Sequence, residues 1–376
     1  TRADYGLLQW VMDGVRRDSE LELQVVATGT HLLSEFGLTY QEIEADGFLI
    51  NAKLDILTSD DTSIGITKAV GRGVIAFADT FAKLSPDVVV ILGDRFEALS
   101  AATAALIAGL PLAHLHGGEI TEGAYDDSIR HAITKMAHLH FVAAKPYLDR
   151  VIQLGESPDR VFLVGGLGVD TIHKTNLLNR QELEEALGFS FGKRNLLITF
   201  HPVTLEKDSA SRQLSELLRA LDSLKDTRLI LTLPNADTGS RRLIEMIQEF
   251  SKNRMHVKSY ASLGQQRYLS CIAQVDGVIG NSSSGLAEVP SFKKGTINIG
   301  NRQAGRLKAA SVIDCEPFSS SIVSAIEKLY SVEFQANLNS VQNPYGQGGA
   351  SQLIVDTLKH CDLSGLIKKQ FHNIQV

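Results

Sequence analysis

The chain is poor in the residues that would tie it to an oxidising compartment, a membrane or a nucleic acid. Its 376 residues include three cysteines, Cys271, Cys315 and Cys361. Their number is odd, their spacing is wide, and no CxxC or Cys/His ligand spacing occurs. Neither a disulfide framework nor a zinc site is indicated, and reduced, mostly buried thiols are expected. No apolar run reaches the ~18 residues of a membrane-spanning helix. Lysine and arginine total 37 against 43 aspartate and glutamate, a formal net charge of −6, and no basic block occurs. That balance argues against nucleic acid as a partner. Short repeats and low-complexity tracts are also missing. These absences lead to the expectation of a cytoplasmic protein without a leader peptide. What is present is ordinary, with 44% hydrophobic and 21% charged residues. That supplies normal cores, and the length favours about two domains.

Strand and helix patterns alternate almost throughout. In the first part, strands are expected at Leu21–Thr28, Val88–Leu92 (VVVIL, expected to be fully buried), Leu112–His116, Leu139–Ala143 and Val161–Gly165. Helical spacing covers Gly65–Leu84, Phe96–Ala108 and Asp126–His138. A second series starts near residue 195, with strands at Asn195–Phe200, Arg228–Leu233, His256–Tyr260, Gly277–Gly280, Gly295–Ile299 and Val312–Asp314. Its helices are expected at Ser211–Leu224 and Asp237–Lys252. Continuous apolar strands between helices indicate parallel sheets covered on both faces. The polar segment 166–193, with Asn176, Asn179, Gly188 and Gly192, reads as a linker. The expected division is 1–168 and 169–351, with the final helix and tail, 352–376, returning to the first half. The first residues run straight from Thr1 into a helical pattern at Leu7, Leu8, Val11, Met12 and Val15. An α/β domain places a strand before such a turn, so a first strand is expected ahead of it, with Arg2 on the turn.

Several strand ends carry residues fit for chemistry. Asp94 and Arg95 follow VVVIL, where an aspartate either caps the next helix or faces a ligand. His114 and His116, two apart on a strand, point the same way; a metal pair needs a third ligand, and none is evident. The Gly117-Gly118 pair then presents Glu119. Asp126 and Arg130 are four apart on one helix face, either as a surface pair or with Arg130 holding Asp126 ionised. In the second series His201 closes the NLLITF strand beside Pro202 and could transfer a proton near neutral pH. Asn235 occupies the same place after LILTL. Asn281-Ser282-Ser283-Ser284-Gly285 is a hydroxyl-rich turn opening a short helix, suited to phosphate. Glu288 could accept from ribose hydroxyls, and Arg302 and Arg306 could grip a diphosphate.

Taken in order, TRADYG, LGDRFE, HLHGGE, DDSIRHAITK, FHP, PNADTG, GNSSSGLAEVPS and TINIGNRQAGR resemble the hydrolysing UDP-N-acetylglucosamine 2-epimerases over essentially the whole chain. The resemblance implies an α/β GT-B fold, two Rossmann-like domains with parallel sheets facing across an interdomain cleft. It implies catalytic roles for Asp94, Glu119, Asp126, Arg130 and His201. It implies UDP contacts from Arg2, Arg95, His201, Asn235, Ser282, Ser283, Glu288 and Arg302. No cofactor and no metal are implied. The implied partners are a UDP-sugar, UDP and further copies of the chain in a homodimer or homotetramer. Gly6 and Leu7 stand where some relatives carry serine or lysine, so contacts from that turn would rest on Arg2 and the backbone. The expected reaction converts UDP-N-acetylglucosamine and water to N-acetylmannosamine and UDP. The nearest alternative is the same chemistry on UDP-2,4-diacetamido-2,4,6-trideoxyglucose. A GT-B glycosyltransferase or a silent nucleotide-sugar sensor is more remote.

Overall fold

A computed structural model describes residues 2–34, 37–57, 62–121, 125–201, 209–234 and 240–374, with backbone alone for residues 2, 3, 209, 240 and 241. The chain forms two compact units. One comprises residues 1–120, 125–171 and 348–376, the other 121–124 and 172–347.

The first unit runs α1 (Arg2–Arg17), β1 (Val25–Thr28), α2 (Tyr40–Ala45), β2 (Ile50–Leu54), α3 (Ser63–Leu84), β3 (Val89–Leu92), α4 (Phe96–Ile107), β4 (Leu112–Leu115), α5 (Tyr125–Met136), β5 (Leu139–Val142), α6 (Lys145–Gln153), β6 (Val161–Leu163) and α7 (Leu167–Lys174). Its strands pair in parallel as β1-β2 and as β3-β4-β5-β6. Strand alternation divides the side chains between two cores. Ala113, Leu115 and Phe141 pack with Val11 of α1. Leu112 and Ile91 pack with Phe77, Phe81, Ala101, Ala105 and Ile133 of the helices on the other face. Thr62 caps α3 by accepting from the Gly65 N–H at 3.2 Å. β2 is a strand that the sequence pattern did not reveal, because INAKL alternates too weakly. VVVIL is not fully buried as expected: β3 alternates between shielded and open positions, and Val90 is 37% exposed.

The second unit runs α8 (Arg180–Leu187), β7 (Arg194–Thr199), α9 (Ser209–Asp222), β8 (Thr227–Thr232), α10 (Ser240–Lys252), β9 (Val257–Tyr260), α11 (Gly264–Gln274), β10 (Gly277–Gly280), α12 (Ser284–Ala287), β11 (Gly295–Ile299), β12 (Val312–Cys315), α13 (Ser319–Leu329) and α14 (Val332–Leu338). Its six strands are parallel in the order β12-β11-β10-β7-β8-β9. Counted from β7, that is the doubly wound order 3-2-1-4-5-6, with the topological switch between β7 and β10. The segment 166–193 contains the boundary between the two units, at 171/172, but it is largely helical rather than a polar loop, holding α7 and α8. Asn179 and Glu182 close a reciprocal capping box on α8, with N···O distances of 3.1 and 2.8 Å. Gly188 ends that helix at φ 56°. Residues that read as breakers are the two ends of a helix.

The last helix, α15 (Ala350–His360), packs on α1 through Ile354 and Val355. The tail after it is pinned by Glu156, which is 2% exposed. The Glu156 carboxylate takes Lys135 at 2.6 Å, Lys369 at 2.6 Å and the His140 ring at 2.9 Å. Burial works to raise Glu156, but the bonds from His140, Lys135 and Lys369 outweigh it and hold the carboxyl down to about 2. Glu156→Gln leaves two ammonium groups short of their anion. It should lower unfolding stability by ~3 kcal/mol, read from urea midpoints, and make the 365–374 tail more open to proteolysis.

Candidate active site

The first unit gathers acidic groups around one buried cation. β3 ends at Leu92, and Gly93, Asp94 and Arg95 lead into α4. Arg130, 2% exposed, reaches in from the middle of α5. Its Nη2 donates to Asp94 Oδ2. Its Nη1 donates to the Glu119 carbonyl at 2.9 Å and to Asp127 Oδ1 at 3.1 Å. The guanidinium therefore fixes the ends of three separate segments. On the helix the ion pair runs three residues back to Asp127, rather than four back to Asp126 as the spacing suggested. Asp126 feels Arg130 only as a nearby charge. Burial, followed by the charge of Asp94, pushes Asp126 above the ordinary carboxylate range. Asp127 also lies 3.4 Å from His131 Nε2.

The Glu119 carboxylate is 3.3 Å from His116 Nδ1. The other nitrogen of that ring accepts the Leu167 N–H at 3.3 Å. In the neutral ring the proton then sits on Nδ1, facing Glu119. β4 stops at Leu115 and His116 takes φ 62°, so the two histidines do not share a strand face as the alternation implied. His114 is fully buried, with Nε2 on the Gly93 carbonyl at 2.7 Å and Nδ1 on Thr134 Oγ1 at 3.1 Å. Both nitrogens are engaged, and burial drives its pKa down to about 3. His114 is thus a neutral strut between β3, β4 and α5. Arg95 donates from Nε to Glu97 Oε2 at 3.3 Å. Glu97 is buried, and its Oε1 has no hydrogen-bond partner among the described residues.

The second unit places its groups at the switch between β7 and β10. Asn281, 1% exposed, accepts the His201 N–H at 2.7 Å and donates to the His201 carbonyl at 2.8 Å. Its own carbonyl takes Arg302 Nη1 at 3.0 Å and Gln303 Nε2 at 2.9 Å. One amide thereby locks the ends of β7 and β10 and the arginine loop together. Ser282 and Ser283 are half-buried on the turn, with Ser283 at the N-cap of α12. Glu288 follows that helix; burial raises its pKa, and its Oε2 has no partner among the described residues. Burial first, then the Arg302 charge, lowers His201 to about 4. The ring is therefore neutral near pH 7 rather than an imidazolium, with one ring N–H to donate. Asn235 and the Arg2 side chain lie outside the described residues.

The spacing left Asp127, Asn281, His116 as a partner of Glu119, and Glu97 unmarked. Asp127 could have been found from its three-residue offset to Arg130. Glu97 carried no separable signal in LGDRFE.

A family model described as UDP-N-acetylglucosamine 2-epimerase matches residues 13–359. The chain belongs to that family. The UDP-N-acetylglucosamine 2-epimerases are enzymes, and this chain is one of them in its α/β, GT-B-like architecture of two Rossmann-like units. It is 44% identical over 373 residues to the GDP/UDP-N,N'-diacetylbacillosamine 2-epimerase (hydrolyzing) of Campylobacter jejuni, covering 99% of this chain and 96% of that one. It is 40% identical over 346 residues to the polysialic acid biosynthesis protein P7 of Escherichia coli, covering 92% and 88%. In fold it is similar to the Methanocaldococcus jannaschii UDP-GlcNAc 2-epimerase in complex with UDP-GlcNAc and UDP. The TM-score there is 0.77 at 16% identity, over 96% of this chain and 98% of that one. Among the described residues of this epimerase, no helix is long and apolar enough to cross a membrane.

Histidines kept neutral by burial give this epimerase a pH signature. His114 is lowered to about 3, and His138 and His201 to about 4, from an ordinary value of 6.5. Between those values the unfolded chain binds protons that the folded chain excludes. Their contribution is complete above pH 6.5 and is lost as the pH falls toward 4. Asp126, whose raised pKa favours the protonated fold, opposes this with a single proton. Urea midpoints should fall steadily from pH 7 to pH 4.5, and His201→Asn should flatten that slope.

Proposed function

We propose that this chain is a hydrolysing 2-epimerase that acts on UDP-2,4-diacetamido-2,4,6-trideoxyglucose, the UDP form of N,N'-diacetylbacillosamine. It releases UDP and the free sugar inverted at C2. The observation that carries the chemistry is the buried Arg130, which holds Asp94 and Asp127 beside Glu119 and next to an Asp126 of raised pKa. Support for the sugar comes from the relative at 44% identity over nearly the full length of both chains. A second reading, UDP-N-acetylglucosamine for sialic acid, is favoured by the polysialic acid relative at 40%.

The reaction needs a proton acceptor, a proton donor on the opposite face and charge compensation for the departing UDP. The C1–O bond breaks and UDP leaves with the electron pair. Positive charge at C1 acidifies C2–H, and a carboxylate takes that proton, leaving a C1–C2 alkene that still carries the 2-acetamido group. Water then adds oxygen to C1 while a proton reaches C2 from the other face. Asp126, whose pKa is raised by burial and by the Asp94 charge, is the carboxyl group we assign as proton donor. Asp94, which accepts from Arg130, and Glu119, which faces the His116 N–H, are arranged as acceptors. For the nucleotide, we assign Ser282, Ser283 and Arg302 to the diphosphate and Glu288 to the ribose. His201 enters as a neutral hydrogen-bonding ring, with further contacts from Arg2, Arg95 and Asn235.

Parallel rate measurements on the two UDP-sugars test the substrate. The diacetamido sugar should turn over at least ~10-fold faster in kcat/KM, the discrimination that a few pocket contacts supply. The reverse preference supports the second reading. Asp126→Asn should cut turnover by ~10²-fold or more with UDP affinity retained. Arg302→Ala should weaken UDP binding by about 1.5–3 kcal/mol, the worth of a charge-assisted hydrogen bond, read by calorimetry.

A further inference from the structure

The turn from His116 to Glu119 is held from several sides. The His116 N–H donates to the Phe141 carbonyl at 2.8 Å, so the ladder between β4 and β5 runs up to this point. Arg150 of α6 donates to the Gly118 carbonyl, and Arg130 of α5 donates to the Glu119 carbonyl at 2.9 Å. The two glycines lie where a side chain would collide. A Cβ at Gly117 would stand 3.0 Å from His114 Nδ1, and one at Gly118 would stand 2.4 Å from the Tyr147 carbonyl oxygen. Within this frame His116 has φ 62°, a left-handed conformation that strains a histidine and suits a glycine. Ser85 and Lys293 share that conformation as the ends of helical segments. His116 adopts it at a strand end, three residues before Glu119.

With that backbone the ring lies between two fixed groups. Nε2 accepts the Leu167 N–H, the first of α7, at 3.3 Å, and Nδ1 stands 3.3 Å from Glu119 Oε1. α7 is itself tied down, because the buried Asp170 accepts the Gly349 N–H and, at 2.8 Å, the Ser351 N–H at the start of α15. A backbone N–H does not give up its proton, so Leu167 fixes the tautomer of the ring. The ring proton stays on Nδ1 and points at Glu119. We propose that His116 is the positioning residue of Glu119. It holds the carboxylate in one orientation and favours its ionised form. It passes no proton on, because its second nitrogen is occupied. The C2 proton therefore stays on Glu119 once that group has accepted it, and the His116 Nδ1–H bond is unbroken throughout. The role rests on the epimerase reading proposed above for its effect on turnover; the effect on Glu119 itself does not.

Two substitutions test it. His116→Gly removes the ring and suits the backbone. His116→Asn also tolerates the left-handed conformation, and it places an amide N–H where Nδ1 stands. The other ionisable and charged groups around the turn are the same in both variants: Asp94, Arg95, His114, Asp126, Asp127, Arg130 and Arg150. In 13C-labelled protein the Glu119 carboxyl should titrate ~1 pH unit higher in the glycine variant than in the unsubstituted chain, with asparagine in between. With the UDP-sugar, the glycine variant should lose ~30-fold or more in kcat while KM stays within ~3-fold. The acid limb of its kcat/KM profile should move up with the carboxyl, and asparagine should recover at least ~5-fold of the lost kcat. An unmoved Glu119 titration would overturn the proposal, whatever the turnover. So would glycine and asparagine variants equal in kcat, since a residue that merely packs makes no distinction between them. If the unsubstituted chain itself turns over no UDP-sugar, the reaction is wrong, and the carboxyl titration still decides the role of His116.

Discussion

Arg130→Met should reduce turnover by at least ~10³-fold, the scale of losing a preorganised charge partner in a catalytic site, and lower unfolding stability by ~3–5 kcal/mol. The guanidinium is 2% exposed and bridges Asp94, Asp127 and the Glu119 carbonyl. Methionine fills much of the volume but leaves the carboxylates facing one another without a cation. Asp126, already raised by burial and by Asp94, would rise further. Both losses should appear together, in kcat and in urea midpoints. Arg130→Lys keeps the charge but lacks the fork that serves two sides at once. It should recover more stability than activity, and that split separates positioning of Asp94 and Glu119 from simple charge balance.

Gly280→Ala should be the most damaging small substitution in the second unit. Gly280 ends β10 at φ 146°, and a Cβ there would sit 1.9 Å from the Thr199 carbonyl oxygen on β7. Neither atom belongs to a flexible side chain, so the two central strands would have to part. The Asn281 amide that ties His201 to the β10 end lies one residue further on. A loss of ~4 kcal/mol or more is expected, in the range of the most severe point substitutions. UDP affinity measured by calorimetry should fall in whatever protein remains folded. Gly93→Ala is the matching control. It has φ 76° but nothing within 4 Å of the added methyl, so it should cost only ~1–2 kcal/mol, the backbone penalty alone.

The elements legible in the sequence were those whose burial is symmetrical. Leu196–Ile198, Leu229–Leu231 and Ile297 lie between two helical layers, so an unbroken apolar run marks them whatever the register. The positions of Asp94 and Ser282 just past strand ends were legible because an apolar run marks where each strand stops, even in β3, which is buried on one side only. What escaped depends on partners far along the chain. α8 was hidden because its polar face is exposed and its caps, Asn179 and Gly188, are also turn residues. Arg130 selects Asp94, 36 residues away, and Asp127, whereas the four-residue spacing pointed to Asp126. Asn281 reads as one polar residue in a serine turn, and only the meeting of β7 with β10 makes it a clamp. His201 was read with a pKa near the ordinary value, and burial beside Arg302, which keeps the ring neutral, has no signal in the sequence.

The most direct test of the chemistry is incubation of the enzyme with its UDP-sugar in deuterated water, followed by NMR and mass analysis of both products. The account predicts one equivalent of UDP per sugar released, and a free sugar of inverted configuration carrying one deuterium at C2. UDP release with the original C2–H retained, or an epimer still attached to its nucleotide, would contradict it.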